Sequence, residues 1–131
     1  MELLKVLIVD DHHDLADSLA QLVQLEGYTP LVAYDTSVGL RVADEEVPDV
    51  IIHDIGMPGM SGYEAARHLR QKPRLRKTVL VAHTAYSTNE DQRRALEAGF
   101  DRHITKPMDP AVLTKLLKSI LQQQRLNSRF Q

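Results

Sequence analysis

Five short apolar segments, each followed by a stretch with helical spacing, constrain the fold of this chain more than any other feature. The segments are residues 3–9, 29–34, 50–54, 78–83 and 101–105. Short apolar runs bounded by turn residues are typical of strands that are buried on both faces. Strands that alternate with helices at this spacing form a parallel sheet with helices on both faces, so the sequence predicts an α/β fold.

Capping residues mark where the predicted helices begin. Asp11 can cap the first helix, and residues 61–64 and 87–90 have the Ser-x-x-Glu spacing of capping boxes. Asp109, followed by proline, predicts the start of the last helix. Its apolar face ends near Leu121, and the polar residues 122–131 are expected to fray. We therefore predict one domain over residues 1–122 and a polar tail over residues 123–131.

Composition excludes several classes of protein. The chain has 131 residues and a formal net charge of −2, which fits one globular domain without a general attraction to nucleic acid. It has no cysteine, so disulfides and thiol chemistry are excluded. No apolar run approaches the roughly 18 residues of a membrane helix, and the N-terminal apolar run stops too early for a signal peptide. We expect a cytoplasmic protein without a membrane partner.

Chemically active side chains follow four of the five predicted strands. Asp10 and Asp11 follow the first, Asp54 ends the third, Thr84 follows the fourth and Lys106 follows the fifth. The carboxyl ends of parallel strands lie at one edge of the sheet, where ligands bind in open α/β folds. Three carboxylates there repel one another unless cations neutralise them. Lys106 supplies one charge, and oxygen ligands favour Mg²⁺ or Mn²⁺.

This set of residues suits phosphoryl transfer, because Mg²⁺ in proteins takes one or two carboxylates together with a phosphate oxygen. Such transfer needs positioning and charge neutralisation more than covalent chemistry. Asp54 would attack in line as the nucleophile. Lys106 and the metal would neutralise the transferring oxygens, and the Thr84 hydroxyl would donate a hydrogen bond to one of them.

Four motifs resemble the receiver domain of two-component response regulators. They are Val-Asp-Asp at 9–11, Asp54 followed by Ile-Gly-Met-Pro-Gly-Met-Ser-Gly, Thr-Ala at 84–85 and Lys-Pro at 106–107. The details look most similar to receivers of hybrid histidine kinases. The resemblance implies a flavodoxin-like (βα)5 three-layer sandwich with five parallel strands in the order 2-1-3-4-5. It also implies a signalling module that catalyses only its own phosphorylation and dephosphorylation.

The resemblance also assigns roles to individual residues. Asp54 matches the phosphoacceptor, which takes its phosphoryl group from a histidine kinase or a histidine phosphotransfer protein. Asp10 and Asp11 match the acidic pair, and the metal ligands would be Asp11, Asp54 and the carbonyl of Gly56. Thr84 and Lys106 match the residues that sense the phosphoryl group. The peptide bond between Lys106 and its following proline is expected to be cis.

The family pattern implies an output surface made of the helix over residues 87–98, the fifth strand and the last helix. This surface would meet an unknown downstream protein or form a weak dimer, and no direct contact with nucleic acid is expected. Receivers usually carry Tyr or Phe three residues before the lysine, whereas this chain has His103. Ser61 replaces the usual acidic residue and can serve as a helix cap. Gly56 and Tyr86 would flank the path of the hydrolytic water.

Other functions fit the sequence less well. A Mg²⁺-dependent phosphatase with an aspartyl-phosphate intermediate needs a second acid where Gly56 stands. A flavodoxin needs a phosphate loop rich in Ser, Thr and Gly where Asp10 and Asp11 stand. The six histidines lack zinc-ligand spacing, and His53 and His83 are expected to pack against helices. A degenerate or excised receiver that acts only in docking remains an alternative.

Overall fold

The computed structural model describes residues 4–85 and 87–129, which form five strands and five α-helices in alternation. The strands are β1 (Lys5–Val9), β2 (Thr29–Ala33), β3 (Val50–Asp54), β4 (Val79–Thr84) and β5 (Arg102–Thr105). The helices are α1 (His13–Leu25), α2 (Thr36–Glu46), α3 (Gly62–Arg70), α4 (Asn89–Ala98) and α5 (Pro110–Arg129), with a 3-10 turn over Pro73–Leu75.

All strand pairs are parallel, and the strand order is β2-β1-β3-β4-β5. Successive side chains of a strand point to opposite faces, so strands that are apolar throughout bury both faces. One core cluster lies between the sheet and α2, α3 and α4, and a second lies between the sheet and α1 and α5. The predicted flavodoxin-like sandwich is confirmed.

The start of α1 differs from the prediction by one residue. His12, not Asp11, is the N-cap, and its Nδ1 accepts a hydrogen bond from the backbone N–H of Leu15 at 3.2 Å. Asp10 accepts from the backbone N–H of His12 at 2.9 Å, which makes a local turn and delays the helix. Asp11 is therefore left exposed at the rim of the sheet instead of being used as a cap.

The start of α4 is also displaced by one residue. Thr88 is the N-cap, and it forms a reciprocal capping box with Asp91 instead of the predicted Ser87 and Glu90. By contrast, Ser61 caps α3 as predicted, since its hydroxyl accepts from the backbone N–H of Glu64 at 3.2 Å. Both helices start within one residue of their predicted position.

The last helix is longer than predicted. It continues through Arg129, so the expectation that residues 122–129 fray is wrong. The Gln124 side-chain amide donates to Asp49 Oδ1 at 3.0 Å, which ties this extension to the start of β3. The domain boundary at residue 122 stays a prediction. None of the described helices is both long enough and apolar enough to cross a membrane.

Candidate functional site

The carboxyl ends of four strands bring the predicted site residues to one edge of the sheet. Asp10 follows β1, Asp54 ends β3, Thr84 ends β4 and Lys106 follows β5. The register pairs Thr84 with Thr105, and the backbone N–H of Lys106 donates to the carbonyl of Thr84 at 2.8 Å. The parallel pairing thus places Lys106 beside the other residues, although it is distant from them in sequence.

Asp54 has a side chain that is largely buried but retains one open side. The residue is 8 % exposed. Its Oδ1 accepts a hydrogen bond from the backbone N–H of Gly56 at 3.1 Å, and its Oδ2 lies 3.2 Å from Lys106 Nζ. The loop that follows is held by the buried side chains of Ile55 and Met57. These contacts fix the direction of the carboxylate while leaving it accessible at the rim.

The first residue of α3 packs directly on the backbone that carries Asp54. A Cβ atom added to Gly62 would lie 2.7 Å from Ile55 Cα and 2.8 Å from the Asp54 carbonyl oxygen. The Gly62 N–H donates to the Ile55 carbonyl at 3.2 Å. Only glycine permits this approach, so the loop between Asp54 and α3 is closed tightly against the end of β3.

Lys106 bridges two carboxylates. Its Nζ lies 3.0 Å from Asp10 Oδ2 and 3.2 Å from Asp54 Oδ2. Burial by itself lowers the pKa of this amine, but the hydrogen bond to Asp10 and the charges of Asp54 and Asp10 outweigh it, so the pKa of Lys106 is raised. The lysine is therefore charged at neutral pH. The peptide bond from Lys106 to Pro107 is cis, as the resemblance predicted.

The acidic side chains form a cluster that one lysine does not neutralise. Carboxylate oxygens of Asp10, Asp11 and Asp54 all lie within 4.8 Å of one another. Asp10 and Asp54 are buried and Asp11 is exposed, so the cluster opens to solvent on one side. Three carboxylates against one ammonium leave excess negative charge, and the donor atoms are all oxygen. This set fits a hard divalent cation such as Mg²⁺.

Two histidines are buried beside the site, as expected from their apolar strands. His53 Nδ1 lies 2.7 Å from the Asp54 carbonyl oxygen, and the Nε2 atoms of His53 and His83 have no partner among the described residues. Burial lowers the pKa of His53, and burial and the charge of Lys106 lower that of His83 to about 4. Both rings are neutral at pH 7. Within the described residues, the acidic cluster is the one group of three or more potential metal ligands, so no zinc site containing histidine is found there.

Thr84 and His103 occupy neighbouring strands on the side of α4. Thr84 is 1 % exposed at the end of β4. His103 is half-buried on β5 opposite Ala82 and lines an open surface pocket between α4 and β5 together with Leu96 and Phe100. Tyr86, predicted to flank the water path, lies outside the described residues.

Asp10 has a second role that the sequence did not predict. It pairs with Lys106, and it also accepts the hydrogen bond from the His12 N–H that forms the turn before α1.

Comparison with known proteins gives one consistent family. Residues 6–118 match the response regulator receiver domain. A 14.6 kDa uncharacterised protein of Leptolyngbya boryana is 34% identical over 113 residues, which are 86% of this chain and 86% of that protein. The phosphate regulon transcriptional regulatory protein PhoB of Escherichia coli is 31% identical over 89% of this chain, and the chain spans about half of PhoB, 51%.

Solved structures agree with the sequence comparisons. A CheY-like response regulator receiver domain protein of Methanospirillum hungatei superposes with a TM-score of 0.88 at 29% identity. The match covers 96% of this chain and 99% of that one. The similarity therefore extends over the whole sheet and its helices, including the edge that carries Asp54.

Proposed function

Because this chain belongs to the response regulator receiver domain family, we propose that Asp54 accepts a phosphoryl group from a phosphohistidine of a kinase or phosphotransfer protein. One observation carries the proposal: Lys106 Nζ lies between Asp10 and Asp54, at 3.0 and 3.2 Å. A nucleophilic carboxylate is thus held beside a fixed cation at an open edge. A lysine with only a structural role would be expected to pair with one carboxylate at a place away from this rim.

In the proposed reaction an Asp54 oxygen attacks phosphorus as the bond from phosphorus to the histidine nitrogen breaks. The electron pair of that bond stays on the imidazole, and the product is an acyl phosphate on Asp54. Lys106 would neutralise charge on the transferring oxygens, and the Thr84 hydroxyl would donate to one of them. Asp10 keeps Lys106 in place through its 3.0 Å contact.

The proposal includes a Mg²⁺ or Mn²⁺ ion held by Asp11, Asp54 and the Gly56 carbonyl, with Asp10 close by. The excess negative charge of the cluster supports it, because all donors are oxygen and lie within 4.8 Å. When bound, the ion would neutralise phosphoryl oxygens during transfer. The same residues would favour hydrolysis of the acyl phosphate, so the module would catalyse only its own phosphorylation and dephosphorylation.

We further propose that phosphorylation changes the surface formed by α4, β5 and α5, which then meets a downstream protein or a second receiver. The half-buried His103 and the open surface pocket beside it leave room for side chains to move on this side, which supports the proposal. Direct contact with nucleic acid or membrane is not part of the proposal. Because the phosphohistidine donor is expected in the cytoplasm, a cytoplasmic location is part of the proposal.

The test is phosphorylation by acetyl phosphate in the presence of MgCl₂, followed by intact-mass spectrometry. Wild type should gain one phosphoryl group, and Asp54→Asn should gain none. Asp44→Asn is the matched control, because Asp44 is an exposed acid that pairs with Lys72 away from the site. Equal labelling of wild type and Asp54→Asn would refute the assignment. Absence of labelling in both would favour the docking module.

A further inference from the structure

A strongly basic segment lies at the end of the sheet opposite Asp54. Six of the 16 Lys and Arg residues fall between Arg67 and Lys77, and the segment contains no Asp or Glu. It comprises the last turn of α3, the 3-10 turn and the residues leading into β4. Since β4 begins where the segment ends, these cations sit at the edge opposite the carboxyl ends of the strands.

Two acidic residues next to this segment are paired with cations of the segment itself. Asp101 binds Arg70, and Asp44 binds Lys72 at 3.3 Å. The remaining carboxylates at the end of α2 pair with cations outside the segment: Glu45 with Arg41 and Glu46 with Lys5. Of the six cations of the segment, only Arg70 and Lys72 form an ion pair among the described residues.

Four cations of the segment remain exposed. Arg67, Arg74, Arg76 and Lys77 are exposed, and none of them forms an ion pair with any of the described residues. We call these four residues the basic surface. Like charges brought together without partners repel one another, so the arrangement costs stability unless an anion binds.

Arg70 holds the backbone beneath the basic surface in a fixed shape. Its Nη1 donates to the carbonyls of Thr78 at 2.9 Å and of Leu75 and Arg76 at 3.4 Å. Its Nε donates to the Gly99 carbonyl at 2.8 Å. A loop tied in this way presents its outward cations with little loss of freedom on binding, which favours recognition.

We propose that the basic surface binds an acidic polypeptide segment of a partner protein. Arginine, which supplies three of the four cations, forms paired hydrogen bonds with carboxylates. A nucleic acid is less suited, because the sequence has no aromatic residue between Tyr63 and Tyr86 on which bases could stack, and the chain carries a net charge of −2. Binding at this end leaves Asp54 free, so it should not depend on phosphorylation.

The test uses a short synthetic peptide of alternating Glu and Ser, titrated at low ionic strength while backbone amide NMR shifts are recorded. The triple variant Arg74→Glu, Arg76→Glu, Lys77→Glu reverses the charge of three of the four residues of the basic surface. Its control is Lys115→Glu, Lys118→Glu, Arg125→Glu, which changes the net charge equally on exposed residues of α5. Asp54→Asn separates this proposal from the phosphoacceptor role.

We expect wild type to show shifts confined to residues 67–78, with binding about tenfold weaker in the first variant and unchanged in the control and in Asp54→Asn. The single variant Arg74→Glu should lose about twofold, which keeps the comparison valid if the triple variant does not fold. Equal losses in both triple variants would overturn the proposal, because net charge alone would explain them. Tighter binding of an oligothymidylate, or of vesicles containing phosphatidylserine, would overturn the choice of partner.

Discussion

Two adjacent aspartates have different surroundings, although the sequence presents them as an equivalent pair. Asp10 is 1 % exposed, binds Lys106 and accepts from the His12 N–H. Asp11 is exposed and lies within 4.8 Å of the other two carboxylates. Asp10 therefore organises the site through its partners, whereas Asp11 mainly adds negative charge at the rim. Substitutions at the two residues should have opposite effects on stability.

The first prediction concerns Asp11. Asp11→Ala should lower the affinity for Mg²⁺ at least about tenfold, because it removes a proposed ligand and reduces the negative charge of the cluster. Stability without metal should stay equal or rise, since repulsion among the carboxylates falls. Calorimetric titration with MgCl₂ and urea unfolding measure the two effects. Asp14→Ala, an exposed acid one turn further along, is the control, and an unchanged Mg²⁺ affinity in Asp11→Ala would count against the ligand set.

The second prediction concerns acid stability and His83. Burial and Lys106 lower the pKa of His83 from 6.5 to about 4. The unfolded chain therefore binds a proton below pH 6.5 that the folded protein takes up only near pH 4, so the free energy of unfolding falls as the pH falls through this interval. The loss is about 3 kcal/mol for one such group.

Replacing His83 by leucine should remove this contribution. Urea unfolding at several values between pH 7 and 4.5 should show a shallower decline for His83→Leu than for wild type. His68→Leu, on the exposed side of α3, should decline as wild type does. Parallel curves for wild type and His83→Leu would show that the ring is not kept neutral by the fold.

At the scale of elements, the strands were predictable because their residues are apolar on both faces. Helix starts were less predictable, because overlapping cap patterns compete. The pairs Ser87–Glu90 and Thr88–Asp91 have the same spacing, and only the path of the chain selects the second. The extension of α5 rests on the contact of Gln124 with Asp49, which lie 75 residues apart. No local pattern could reveal that contact.

The site was predictable to a similar degree. Parallel strands must bring Asp54, Thr84 and Lys106 to one edge, so their neighbourhood follows from the order of the strands. The distances that make Lys106 a bridge between Asp10 and Asp54 depend on how the sheet twists and how α1 begins. Those features are set by packing across the whole core, which the spacing of residues does not encode.

Arg70 joins three elements that are distant in sequence. Its guanidinium binds the loop before β4, the end of α4 at Gly99, and Asp101 at the start of β5. Asp101 in turn accepts from the backbone N–H of Leu80 at 2.8 Å. One partly buried side chain thus satisfies several carbonyls at the edge opposite the site.

The third prediction is that Arg70→Met destabilises the fold by about 2–3 kcal/mol, because several partly buried carbonyls and Asp101 lose their donor. Arg67→Met is the matched control: it removes the same charge from the same helix at an exposed residue that forms no ion pair within the described part of the chain, and should change stability by less than about 0.5 kcal/mol. Urea unfolding measures both variants. Similar losses in the two would show that Arg70 acts only through general charge.

At the scale of the whole molecule, the sheet separates two apolar cores, and the two ends of its strands carry opposite charges. The acidic cluster lies at the carboxyl ends of the strands, and the basic surface lies at the other end. The core between the sheet and α2, α3 and α4 contains Phe100 and borders the open surface pocket lined by His103. A signal that starts at Asp54, as proposed, would have a short path to α4 and β5 through the neighbouring end of β4, where Thr84 lies.

The last prediction concerns how His103 affects that signal. If Thr84 moves toward a phosphoryl group, space opens behind β4, and His103 can enter it only with its ring N–H satisfied, because burying an unpaired polar group is costly. Phenylalanine at this place would enter the same space without that cost. The response of wild type to phosphorylation should therefore be weaker than that of His103→Phe.

His103→Phe provides the comparison, because phenylalanine can fill the space without a hydrogen-bond partner. Amide shifts of residues 87–105 should be recorded for both proteins with and without beryllofluoride as a phosphoryl mimic. His103→Phe should show the larger shifts in this region. The Asp54→Asn background, which should not respond, controls for direct effects of beryllofluoride. Equal responses of the two proteins would remove His103 from the switch.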